Sequence, residues 1–215
     1  MAHGTVTRMQ DERASDLRER TIAAALDLVA ATGEEGLTMR DLARQVGIST
    51  TAMYQVFDGK PSIVRAVRLR AVSVLGDFLA PSWNHDDPRE RIGEMSRRYI
   101  AWGRDRPALY RLLFVSEALE PALGNLSEEA HVLDPLHHTR KALQDGMERG
   151  LFRTDLDIHA VPFHIWAKNH GLVLMILAGK LAPDHPVLPV DDVDAYVGRF
   201  VDHTLVALAA AEAAC

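Results

Sequence analysis

Apolar residues recur at helical spacing along almost all of this 215-residue chain, and no stretch alternates Val, Ile, Thr and aromatic residues between hairpin dipeptides. That pattern predicts an all-α fold. Leu17, Ile22, Ala25, Leu26 and Val29 share one face of a first helix, which Gly33 and Gly36 end. Thr38 is placed to cap a second helix over 39–45, with Asp41 in its first turn, and Ser49 to cap a third over 50–56. An Asp58-Gly59 turn precedes a fourth helix over 61–79, with Pro61 in its first turn. Beyond a break at 81–87, helices are expected over 88–104, 107–118, 127–150 (kinked at Pro135) and 157–179, opened by Asp157. A stiff connection through Pro183, Pro186 and Pro189 leads to a ninth over 191–213. The expected organisation is a three-helix N-terminal domain at 1–60, followed by an α-helical bundle at 61–215.

Composition narrows the functional classes. Apolar residues are 47% of the chain and charged residues 25%, enough apolar surface to exclude disorder as the main state. The one cysteine, Cys215, allows no internal disulfide. The first 20 residues have no apolar signal-peptide core. The longest apolar runs, 172–179 and 205–211, fall well short of the roughly 18–20 residues that span a bilayer. A cytoplasmic protein with no membrane partner is expected. The net charge of −6 argues against a nucleic-acid partner, but residues 1–70 carry +1 and residues 71–215 carry −7. The acid excess lies outside the first third, so DNA binding must be argued from a motif.

Residues 39–57, MRDLARQVGISTTAMYQVF, supply one. Leu42, Val46, Ile48, Met53 and either Val56 or Phe57 are spaced to pack two short helices at a steep angle. Ala43 is small enough for the crossing, and Gly47 suits a left-handed turn. This is a helix-turn-helix pattern whose second helix presents Thr50, Thr51, Tyr54 and Gln55 outward. Threonine offers a hydroxyl and a methyl, Gln pairs with adenine, and Tyr54, Lys60 and the helix N-terminus reach phosphates. Arg8, Arg13, Arg18 and Arg20 suggest a phosphate arm, but Asp11, Glu12, Asp16 and Glu19 interleave with them, which favours a solvated mixed-charge face.

The run Gly36-Leu37-Thr38-Met39-Arg40-Asp41-Leu42-Ala43, then Val46-Gly47-Ile48-Ser49, then Tyr54-Gln55-Val56-Phe57-Asp58-Gly59-Lys60 resembles the N-terminal domain of TetR-family bacterial transcriptional regulators. Val56 stands where the family often has His or Tyr, which removes one base or phosphate contact. Tyr99-Ile100-Ala101-Trp102, Arg106-Pro107-Ala108-Leu109-Tyr110-Arg111-Leu112-Leu113-Phe114 and Trp166-Ala167-Lys168-Asn169-His170-Gly171-Leu172 resemble the regulatory domain named for its Trp-His-Gly motif. The resemblance implies a homodimer paired through its last two helices, a palindromic duplex as partner and release by a small-molecule effector. It adds Thr38, Arg40 and Ser49 to the DNA-contacting residues. It makes Tyr99, Trp102, Phe114, Phe163 and Trp166 pocket candidates, with helices five and eight turning aromatics inward; His170 joins them as a ligand-contact candidate, although a hydrogen-bonded core or dimer-interface role suits it better. Two features support pairing independently: a small-residue stripe of Gly171, Leu174 and Ala178, and apolar residues on two faces of the ninth helix, Val197, Val201, Leu205 and Leu208 on one and Tyr196, Phe200 and Ala207 on the other.

Other classes fare worse. No Gly-x-Ser-x-Gly elbow, phosphate loop or nucleophilic cysteine indicates an enzyme, and no cofactor is implied. His137 and His138 are adjacent, while His159, His164 and His170 follow at spacings of five and six, so no i, i+4 zinc pair is indicated. A helical metal- or small-molecule-binding interaction protein without sequence-specific DNA binding is the alternative.

Overall fold

A computed structural model describes residues 3–115, 126–187 and 189–210, with the backbone alone at 3–12 and 126–133. Among these residues every regular element is helical: α1 (His3–Thr32), α2 (Met39–Val46), α3 (Thr50–Val56), α4 (Gly59–Leu79), a 3-10 turn (Ala80–Asn84), α5 (Pro88–Asp105), α6 (Pro107–Phe114), α7 (Leu126–Glu148), α8 (Ala160–Leu177) and α9 (Val193–Leu208). The all-α class is as expected. The elements form two compact units. One holds α1–α3, α4 through Val74, and α6; the other holds the rest of α4, the 3-10 turn, α5 and α7–α9.

In the first unit, α1 packs against α2, α3 and α6. Ile22, Ala25 and Val29 of α1 meet a core that includes Leu42, Met53, Phe57, Ile63, Val67 and Tyr110, all buried. The sequence left open whether Val56 or Phe57 closes this core; Phe57 does, at 2% exposure. The helix of α1 begins at His3, well before Leu17. The added stretch has no apolar face to reveal it, but Met, Gln, Glu, Arg and Ala are good helix formers and no proline interrupts them. The helix expected to reach 118 ends at Phe114, where the Val115 amide bonds the Arg111 carbonyl; 116–118 lie outside the described residues.

In the second unit, α5 is the central helix, packed by α7, α8, α9 and the 3-10 turn. Ile92, Met95, Tyr99, Ile100 and Trp102 are buried along it. It runs antiparallel to α9: a Cβ on Gly93 would lie 3.3 Å from Leu205, Arg97 pairs with Asp202 at 3.9 Å, and Arg104 pairs with Asp194. Asn169 of α8 donates to the Ser96 hydroxyl at 3.1 Å, so a buried polar pair locks α8 to α5. The helix of α7 continues through Pro135.

Two ends differ from expectation. Asp157 lies outside α8 but accepts from the His159 and Ala160 amides at 2.8 and 3.1 Å, which holds its carboxyl below the usual range. α9 stops at Leu208 despite the alanines beyond. The Arg153 amide bonds the Leu208 carbonyl at 3.0 Å and Ala210 bonds Leu151 at 3.1 Å. A short bridge to the segment after α7 thus replaces the next helical turn; 211–213 lie outside the described residues.

Candidate nucleic-acid interface

Local chemistry builds the α2–α3 pair. The Thr38 hydroxyl accepts from the Asp41 amide at 3.1 Å and donates to the Asp41 carboxylate at 2.7 Å. The other oxygen of that carboxylate takes the Arg44 guanidinium at 2.5 Å. Gly47 has φ +79 with nothing near a would-be Cβ, so the backbone conformation, not space, calls for glycine there. The Gly47 and Ile48 amides both close on the Ala43 carbonyl at 3.0 Å. Ser49 then caps α3, accepting from the Ala52 amide at 3.1 Å. Ala43 is 2% exposed at the crossing.

This packing fixes what α3 shows to solvent. Thr50, Thr51 and Gln55 are exposed, and Tyr54 is 57% exposed. Thr38, Arg40 and Ser49 are also on the surface, while Lys60, in the first turn of α4, is partly exposed. All eight residues expected to meet DNA therefore belong to the first unit, each with at least partial solvent access. Hydroxyls, an amide, a phenol and two cations on one short helical motif can read base edges and bind phosphates.

Two arginines have a role the sequence reading did not assign. Arg18 places its guanidinium 4.5 Å from the Phe57 ring centroid and donates to the Val56 carbonyl at 3.4 Å. Arg20 donates to the Val46 carbonyl at 3.3 Å and lies 3.8 Å from Asp16. Each satisfies a carbonyl at the end of a recognition-pair helix. Cation spacing along α1 could suggest a mixed-charge face, but not which carbonyl each cation meets.

The aromatic candidates separate into three sets. Tyr99 and Trp102 are buried in the second unit, as expected. Phe163, Trp166 and His170 form a ladder along α8, with centroids 5.4 Å apart for the first pair and 5.2 Å for the second. The expectation that Phe163 turns inward is corrected. It is 53% exposed, because Pro162, Ile165, Asn169 and Leu172 take the buried side of α8. His170 is half-buried, and desolvation pulls its pKa below the ordinary imidazole value. Phe114 belongs to the first unit, packed on Tyr110 at 5.0 Å. Lys168, between the two motif aromatics, donates to Thr204 of α9 at 2.8 Å and faces the Phe200 ring at 5.3 Å. Among the described residues no three His, Cys, Asp or Glu side chains gather as metal ligands, and no helix is long and apolar enough to cross a membrane.

Comparison with known proteins places these features. The family model described as "Bacterial regulatory proteins, tetR family" matches residues 22–67, and "Tetracyclin repressor-like, C-terminal domain" matches residues 92–211. The HTH-type transcriptional repressor Rv1353c of Mycobacterium tuberculosis is 27% identical over 190 residues, covering 84% of this chain and 68% of that protein. A TetR-family regulator from Marinobacter aquaeolei has a similar fold, with TM-score 0.66 at 18% identity over 94% of this chain and all of the other. So does RolR in complex with resorcinol, with TM-score 0.64 at 20% identity over 93% and 91% of the two chains.

Proposed function

We propose that this chain, which belongs to the TetR family of bacterial transcriptional regulators and is a ligand-responsive DNA-binding regulator, acts as a repressor by the following mechanism. The observation that carries the mechanism is the exposed polar face of α3, held by the Thr38 and Ser49 caps at the N-termini of α2 and α3. In the mechanism, α3 enters the major groove. Thr50, Thr51 and Gln55 meet base edges, while Tyr54, Lys60 and Arg40 meet phosphates. The capping residues Thr38 and Ser49 lie at helix N-termini, where backbone amides favour phosphate. DNA contact thus stays with residues 1–60, and effector binding and dimerisation with residues 61–215.

Two chains act together. Phe163, Leu174 and Met175 of α8 and Val206 of α9 are exposed apolar side chains in the isolated chain, and Gly171 and Ala178 are exposed small residues beside them. We assign this surface to the homodimer. Its twofold sets two α3 helices about 34–36 Å apart on a palindromic operator. Introducing Met175→Glu and Val206→Glu together buries two like-charge pairs across such a twofold. Sedimentation equilibrium is expected to show monomers with unchanged helix content; a dimer of wild-type strength rejects this interface.

The effector is a small, largely apolar molecule, aromatic or lipid-like, held among aromatic residues of the second unit. Tyr99, Trp102, Trp166 and His170 are its contacts in this reading, and the resorcinol complex of RolR supports the ligand class. Such a ligand needs only unequal affinity for the DNA-bound and free arrangements, typically about 1–3 kcal/mol. The test is operator binding itself: the dimer binds a palindrome, and its affinity falls steeply with salt. Salt-insensitive binding, or none, rejects the mechanism.

A further inference from the structure

Helix α6 lies between α5 and α7 in sequence, both in the second unit, yet it packs against α1 in the first. One side chain ties its end down. Arg68 of α4 is only 11% exposed, and its Nε donates to the Leu112 carbonyl in the last turn of α6 at 3.2 Å. Its terminal nitrogen lies 3.6 Å from the Glu34 carboxylate, in the turn between α1 and α2. Carbonyls in the last turn of a helix lack intrahelical donors and carry the negative end of the dipole, so a guanidinium there is well matched. The planar fork of arginine reaches both acceptors at once; a lysine ammonium is a point charge that cannot.

We propose that Arg68 is a positioning residue for DNA binding. It couples α6 to the turn that leads into Thr38 and α2, so the recognition pair holds one setting. The proposal rests on the DNA-binding reading above. Arg68 itself is too buried to serve as a phosphate contact. A phosphate contact and a positioning role predict opposite results at Glu34. If Arg68 bound phosphate, removing the nearby carboxylate charge would tighten DNA binding. If Arg68 positions, removing that charge loosens its hold on the turn and weakens binding.

The test uses the full chain and a duplex that the wild-type protein enriches from a randomised pool. Arg68→Met, Glu34→Gln and the double variant are each expected to weaken binding about tenfold. The double variant removes both charges of the pair and should stay folded with the wild-type oligomeric state, its unfolding midpoint a few degrees lower because the Leu112 carbonyl loses its donor. Because no phosphate contact is lost, the slope of log affinity against log salt should stay unchanged, whereas a lost contact would lower it by about 1. Arg68→Lys, which keeps the charge, should recover part of the loss. Tighter binding by Glu34→Gln, a reduced salt slope, or a double variant within twofold of wild type overturns the proposal. A wild-type protein that enriches no duplex rejects the DNA-binding reading instead.

Discussion

Replacing Tyr54 and Lys60 together with alanine is expected to leave a folded dimer that has lost about a hundredfold or more in operator affinity. Tyr54 is 57% exposed and Lys60 partly so, hence removing them takes little from the core. Hydrogen bonds to charged groups such as phosphates are typically worth about 1.5–3 kcal/mol each, and every 1.4 kcal/mol is about tenfold. Lys60→Ala alone should weaken binding to all sequences alike and lower the salt slope by about 1. Fluorescence anisotropy across a salt series, beside thermal unfolding of the same samples, separates lost contact from lost fold. Wild-type affinity in the double variant would remove α3 and the start of α4 from the interface.

Gly146→Ala is expected to be the most damaging single-methyl change in the second unit. A Cβ at this position would lie 2.1 and 2.3 Å from two ring carbons of Phe152, which is itself 1% exposed. The Gly146 carbonyl also accepts from the Leu151 and Phe152 amides at 2.8 and 3.1 Å, so the backbone that places the ring is anchored to the glycine it crowds. Overpacking of this sort costs about 1–3 kcal/mol and occasionally more. At about 2–4 °C per kcal/mol for a protein of this size, the midpoint should fall by several degrees. Phe152→Leu should cost stability alone but offset part of the loss when combined with Gly146→Ala. Additive effects in that double-mutant cycle would show that the ring is not the obstacle.

How much of this was legible in the sequence depended on whether the signal was local. The α2–α3 pair was readable because Thr38, Gly47 and Ser49 act on amides within a few residues of themselves, and the structure shows each doing so. The exposed face of α3 followed from the spacing of Leu42, Val46 and Met53. The start of α1 was hidden because a charged helix needs no apolar stripe. The end of α9 was hidden because its competitor, the strand-like pairing of Ala209 with Phe152, comes from a distant segment. Phe163 was misplaced for a related reason. An aromatic on a helix looks like core until the other residues of that helix, here Ile165, Asn169 and Leu172, are seen to fill the buried side. The Arg68 junction and the Ser96–Asn169 bond join residues 44 and 73 apart in sequence, and no periodicity announces either.

The most direct test of the account is the duplex that the full-length protein selects from a random pool, footprinted with the protein bound. The account predicts two inverted half-sites whose centres are about one helical turn apart, roughly 34–36 Å, occupied by two chains and protected on one face of the DNA. A single unrepeated site held by one chain, or no enriched sequence at low ionic strength, would contradict it.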